Sequence, residues 1–168
     1  MKGAGARAAY VRFAIRDDLP RLWELLNGLA AYERWTEYVT GTPERLGELL
    51  FGARPVAEVL VAEREGRLVG YALFYPTMSS FRTRTMLWLE DLFVEEGERG
   101  FGTGRTLLTA LARLAVERGH ARIDWHVLDW NEPSIAFYER MGARRTADDV
   151  LTYSLVEAEF RRIAGEDA

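Results

Sequence analysis

The sequence predicts one α/β domain built on a mixed sheet. Three observations predict it. Strand-like alternating stretches and helix-like apolar stripes interchange along the chain. No repeat, low-complexity run or linker interrupts them, and 168 residues suit one domain with a full core. At the centre, the breaker-free stretch Trp88-Leu-Glu-Asp-Leu-Phe-Val94 leads to a turn with glycine at 100, 102 and 104. A helical stripe of Leu107, Leu108, Leu111, Leu114 and Ala115 follows. Strand, glycine turn and helix together aim backbone N–H groups and a helix N-terminus at a phosphate. Glycine is required because a side chain would block close approach and resist positive φ.

The elements follow in order. Residues 1–9 are small, basic and featureless, and are expected to be disordered. The domain is expected to span 10–164, with 165–168 a disordered tail. Tyr10 to Ile15 alternates as a strand. Asp17 and Asp18 are placed to cap a helix with Pro20 in its first turn, and Leu22, Leu25, Leu26 and Leu29 form its stripe to about Tyr32. A polar-aromatic loop over 33–38 leads to a short helix capped by Thr42, with Leu46, Leu49 and Leu50 on its apolar face. Ala57 to Ala62 and Leu68 to Tyr75 read as a hairpin around Glu65-Gly66-Arg67. Pro76 to Arg84 reads as a loop with Met78 and Phe81 exposed. After the central unit, the helix of Thr106 to Arg118 stops at Gly119. Arg122 to Leu128 alternates as a strand, Asn131 opens a short helix ending near Met141 before Gly142, and Val150 to Leu155 forms the last strand ahead of a charged, fraying tail.

Composition limits the function. A net charge of −4 gives no basis for nucleic acid or an anionic membrane as partner. The absence of cysteine removes disulfides, thiolate metal sites and an acyl-cysteine intermediate. No apolar run matches a membrane span and no signal-peptide core is present, so cytoplasm is expected. No His/Asp/Glu cluster has metal-ligand spacing, and no metal is expected.

The glycine turn satisfies neither common phosphate motif. Arg99 stands where a Walker A loop needs its first glycine, and Gly-x-Gly-x-x-Gly would need glycine at Arg105 or Leu107. What fits is Arg99-x-x-Gly102-x-Gly104, which resembles the pyrophosphate loop of the GNAT N-acetyltransferases. Asn131-Glu-Pro-Ser134-Ile-Ala-Phe-Tyr138-Glu-Arg-Met-Gly142 resembles the second signature of that family. The wording Leu-Glu-Asp-Leu-Phe-Val, Arg-Gly-Phe-Gly-Thr-Gly and the early Leu-Ala-Ala-Tyr-Glu is similar to the diamine (spermidine/spermine) and thialysine N-acetyltransferases, over roughly Tyr10 to Leu155.

That resemblance implies a mixed, mostly antiparallel sheet of about seven strands flanked by helices, with a splayed central parallel pair, here Leu87–Val94 and Ile123–Leu128. It implies acetyl-CoA as acetyl donor, held by Leu92, Phe93 and Val94, by the loop Arg99, Gly100, Phe101, Gly102, Thr103, Gly104 and Arg105, and by Asn131 and Ser134. The acceptor is a primary amine of a small molecule (a polyamine, thialysine or another lysine-like amine), attacked directly in a ternary complex. A protein lysine or N-terminus as acceptor, or an inactive CoA-binding regulatory domain, are the alternatives. Glu90 is the candidate base and Tyr138 the candidate acid for the leaving thiolate. Neighbours in a regular strand point to opposite faces, so only one of Glu90 and Asp91 is expected at the site. Tyr32, Glu33, Glu90, Trp125 and His126 are the candidate acceptor contacts. Arg82 and Arg84 stand where the polyamine enzymes carry acidic character, and Val150 where the diamine enzymes have a lysine. A homodimer is implied, with Met78 and Phe81 at its interface.

Overall fold

The computed structural model describes residues 9–146 and 153–165. The chain divides into two compact units, residues 1–127 and 128–168. The first holds a five-stranded sheet in the order β1-β2-β3-β4-β5, with β1 Tyr10–Phe13, β2 Glu58–Arg64, β3 Arg67–Ser79, β4 Arg84–Val94 and β5 Ile123–Asp124. The first four pair antiparallel, and β4 pairs β5 in parallel.

Helices α1 (Leu19–Tyr32) and α2 (Pro43–Phe51) cover one face of this sheet, and α3 (Thr103–Glu117) covers the other. Leu22 and Leu25 of α1 pack with Leu50 of α2 onto Val59, Val61, Tyr71, Leu73 and Phe93. Burying a leucine side chain of this kind contributes about 2–3 kcal/mol. Thr42 caps α2 as expected, its hydroxyl accepting from the Arg45 N–H at 3.2 Å. Asp18 sits at the start of α1 but does not cap it. Its carboxylate instead accepts from the Ile15 N–H and from Arg12, tying β1 to the helix entrance.

Several sequence expectations are corrected. The sheet has five strands among the described residues, where about seven were expected. The expected strand over Arg122 to Leu128 shrinks to two residues, because β5 pairs only Leu87↔Ile123 and Trp88↔Asp124 before leaving β4. Of the expected strand over Val150 to Leu155, residues 150–152 lie outside the described residues and 153–155 are irregular. Most of the expected loop from Pro76 to Arg84 is strand, and only 80–83 turn. Pro76 is tolerated there because β2 stops opposite Phe74, so the missing N–H faces no partner strand. The expected fraying tail contains helix α5 (Glu157–Ala164), stopped by Gly165 at φ +75°. The expected disordered segment lies outside the described residues except for Ala9, as does 166–168.

The second unit contains α4 (Glu132–Arg140) and α5. Asn131 caps α4, its side-chain oxygen accepting from the Ser134 N–H, and Gly142 follows the helix at φ +93°.

Candidate active site

The β3–β4 ladder slips by one residue in the middle of β4. Leu73 faces Asp91 and Phe74 faces Leu89, which leaves Glu90 without a register partner. This is a β-bulge, and it breaks the alternation of side chains. Tyr71, Leu73 and Tyr75 share one face of β3, the face under α1 and α2. The Tyr71 hydroxyl donates to Asp91 at 3.0 Å, and the Tyr75 hydroxyl donates to Glu90 at 2.8 Å. The Trp88 indole N–H donates to the same Glu90 oxygen at 2.8 Å. Both carboxylates therefore lie on one face, which corrects the expectation that only one could. A regular strand would have separated them; the extra residue brings them together.

Their environments differ. Glu90 is exposed, and two neutral donors fix its orientation. Asp91 is driven up to about 6 by burial, against the opposing hydrogen bond from Tyr71, with the like charges of Glu90 and Glu33 adding to the rise. Glu33, just past the end of α1, is itself raised by burial. Tyr75 is pushed up to about 12, first by burial and then by its bond to Glu90, so its phenol stays protonated and donates at neutral pH. Three carboxyl groups thus converge where removal from water favours either a neutral acid or an added cation.

The glycine turn forms the second part. Gly100 and Gly102 both adopt φ +83°, and a Cβ built on either would meet nothing within 4 Å. Glycine there serves backbone conformation and leaves the space over the turn open. Gly102 precedes α3 with no side chain capping the helix, so a side-chain cap does not occupy the first-turn N–H groups. Arg99 is exposed but folds back against the chain. Its Nε donates to the Val94 carbonyl at 2.8 Å, and its guanidinium lies 4.5 Å from the Tyr32 ring centroid.

Arg64 of β2 underpins the turn. Its side chain is only 7% exposed, and it donates to Glu98 at 2.6 Å and to the Thr103 hydroxyl at 3.0 Å. The guanidinium also lies 4.9 Å from the Phe101 ring centroid. Arg67 adds bonds to Glu95 and Glu98, and Arg21 holds Glu95 from α1. One arginine therefore reaches the 3₁₀ turn before the loop, the loop's aromatic residue and the first residue of α3.

The remaining candidates fall in several places. His126 is exposed, with its ring 4.7 Å edge-on from that of Trp88, which places it beside Glu90's donor. Trp125 and Tyr32 are half-buried in the same unit. Leu92, Phe93 and Val94 follow the point where β5 leaves β4, on a stretch that pairs with β3. Thr103 is buried, and Arg105 is exposed. In the second unit Asn131 is buried, and Tyr138 is half-buried with its ring 5.2 Å from that of Phe137. The first unit thus brings Glu33, Glu90, Asp91 and the glycine turn onto one framework.

A family model described as Acetyltransferase (GNAT) family matches residues 9–143. The chain belongs to the GNAT acetyltransferase family. Its members are N-acetyltransferases that use acetyl-CoA, as the resemblance implied. Similar curated proteins include L-ornithine N5-acetyltransferase NATA1 of Arabidopsis thaliana, 30% identical with 80% of this chain and 78% of that one covered. Thialysine N-epsilon-acetyltransferase of Bos taurus is 32% identical, with 80% and 83% covered. Among solved structures, an integron cassette protein from V. cholerae superposes with a TM-score of 0.75 at 19% identity, covering 94% of this chain and 98% of that one. This likeness bears on the fold. Membership confirms the GNAT resemblance read from the two signatures.

Sequence reasoning missed Arg64, Tyr71 and Tyr75, and admitted Asp91 only as the alternative to Glu90. The tyrosines carried a usable signal, since positions 71, 73 and 75 alternate onto one strand face. Arg64 carried none, because an arginine ending a strand usually faces solvent.

Proposed function

We propose that this GNAT enzyme transfers the acetyl group of acetyl-CoA to a primary amine of a small molecule, by direct attack in a ternary complex with Glu90 as proton acceptor. The observation that carries this reading is the bulged pair, Glu90 and Asp91 on one face of the strand that leads into the glycine turn. An alkylamine has a pKa near 10.4, so near pH 7.4 only about one molecule in a thousand is neutral, a deficit of roughly 4 kcal/mol. Asp91 and Glu33, both half-buried and raised by burial, favour the ammonium as ligand. Glu90, exposed and oriented by Tyr75 and Trp88, then takes the proton through a water as the N–C bond forms.

The residues present fit acetyl-CoA. The start of α3, which no side chain caps, and the open space over Gly100 and Gly102 suit a pyrophosphate, with Arg105 exposed on the first turn of α3. Past Trp88 the β5 side of β4 is left without a ladder, which supports Leu92 to Val94 as backbone partners for an extended pantetheine. The donor supplies the acetyl thioester. Tyr138 gives its proton to the sulfur as the C–S bond breaks, and Asn131 and Ser134 hold the donor, a reading supported by the signature from Asn131 to Gly142. Tyr32, Trp125 and His126 are the remaining acceptor contacts. Met78 and Phe81, both exposed, are the proposed homodimer surface, for which light scattering should give twice the 19.2 kDa chain mass.

The test is thiol release from acetyl-CoA against a panel of ethylamine, spermidine, putrescine, thialysine, lysine, glucosamine and a lysine peptide. Turnover with a small amine, and little with the peptide, is expected. Release with the peptide alone would move the acceptor to protein.

A further inference from the structure

A cavity of about 310 Å³ lies between α2 and the sheet, on the same face as the carboxylates. Leu46, Leu49 and Leu50 of α2 form one wall, Val56 closes an end, and Leu73 and Tyr75 of β3 form the floor. Its volume is at the small end of the range for ligand sites. Two of its residues also belong to the site. Leu73 is the register partner of Asp91, and the Tyr75 hydroxyl donates to Glu90. The cavity therefore begins one side chain away from the proposed proton acceptor. Leu49 is 37% exposed and Val56 is 60% exposed, so its rim reaches solvent.

Its chemistry is one-sided. Every named lining residue except Tyr75 is purely apolar, and Tyr75's one polar atom is engaged by Glu90. A second ammonium or a carboxylate on the acceptor would find no partner there, and burying one unpaired is strongly unfavourable. The hairpin end beyond Tyr75 carries Arg82 and Arg84 rather than carboxylates, so a polycation gains nothing in that direction either.

We propose that this groove is the acceptor's second subsite, and that the acceptor is a monoamine with an apolar body, its ammonium at Glu90 and Asp91 and its hydrocarbon between α2 and β3. This deepens the acetyl-transfer reading and rests on it. It selects against amines charged at both ends, whose far charge would enter the groove.

The experiment measures thiol release from acetyl-CoA with ethylamine, butylamine, hexylamine and hexane-1,6-diamine. Each methylene buried in the groove should raise kcat/KM by about fourfold until the groove is filled. The diamine, with the same six-carbon chain as hexylamine but a second charge at its end, should be poorer by about tenfold or more. Leu49→Glu places a charge at the rim and should invert that preference, so that the diamine gains while hexylamine loses. A gain for one substrate excludes simple unfolding as the cause. Flat values across the series, or a diamine preferred by the unmodified protein, would overturn the groove assignment while leaving acetyl transfer intact; a groove filled by a second copy of the chain would also read as flat. Absence of turnover with every amine of this series and of the panel above would overturn the acetyl-transfer reading instead. The rise in melting temperature with hexylamine over ethylamine still reads the groove in that case, and equal shifts would overturn it.

Discussion

Replacing Asp91 by Asn should stabilise the folded protein above pH 6 and leave its stability unchanged below pH 4. In the unfolded chain Asp91 titrates near its ordinary value of 3.8, whereas in the folded protein burial holds it at about 6. Between those values the unfolded chain has released its proton and the folded protein has kept it. The folded state therefore binds more protons, and stability falls as pH rises through that window. Two pKa units at about 1.4 kcal/mol each give a loss of roughly 3 kcal/mol, complete above about pH 7. Asparagine keeps an oxygen to accept the Tyr71 hydroxyl but has no charge to desolvate. Asp18, Glu58 and Glu95, all lowered through bonds to arginine, contribute stability that is lost as pH falls, and this cancels in the difference between the two proteins. The assay is urea unfolding at half-unit steps from pH 4 to pH 8. Variant and parent should coincide at the acid end and diverge by about 2–3 kcal/mol at the alkaline end. Parallel curves would refute the upward shift of Asp91. The same substitution should weaken binding of a cationic amine, because the ammonium offsets the burial of this charge.

Arg64→Met should cost about 2–3 kcal/mol, less than a fully buried pair would, because Glu98 keeps Arg67 as a partner. It should also loosen the loop and weaken acetyl-CoA binding by about tenfold in calorimetry, and Arg64→Lys should not rescue it, since one ammonium lacks the fork that spans Glu98 and Thr103. Tyr138→Phe should lower kcat by about a hundredfold or more while the acetyl-CoA dissociation constant stays put; an unchanged kcat would remove Tyr138 from the chemistry. Gly102→Ala should cost about 1–2 kcal/mol from its φ of +83° alone, read as a lower melting temperature, because no atom crowds the added methyl.

Much of this architecture was legible in the sequence because it rests on local signals. The stripe Leu22, Leu25, Leu29 specifies α1, Thr42 the start of α2, and the glycines of 100–104 the turn before α3. The long β3–β4 hairpin was not legible past Tyr75, because Pro76 reads as a breaker unless the neighbouring strand is known to end at Glu58. The bulge at Glu90 was hidden for a similar reason. Register depends on both strands, and alternation read along β4 alone assigns Glu90 and Asp91 to opposite faces. The interlock of Arg64 with Glu98 and Thr103 spans more than thirty residues and leaves no local pattern. Chemistry carried by a motif could be read, whereas chemistry created by pairing two distant strands could not.

The central claim is that Glu90 accepts the proton of an amine under acetylation. It is tested most directly by thiol release from acetyl-CoA with a primary amine near neutral pH, comparing the parent protein with Glu90→Gln. The side-chain amide can still accept the bonds from Tyr75 and Trp88 but cannot take the proton. The account expects kcat/KM to fall by about a hundredfold or more, with acetyl-CoA affinity unchanged. Turnover equal to that of the parent would contradict it.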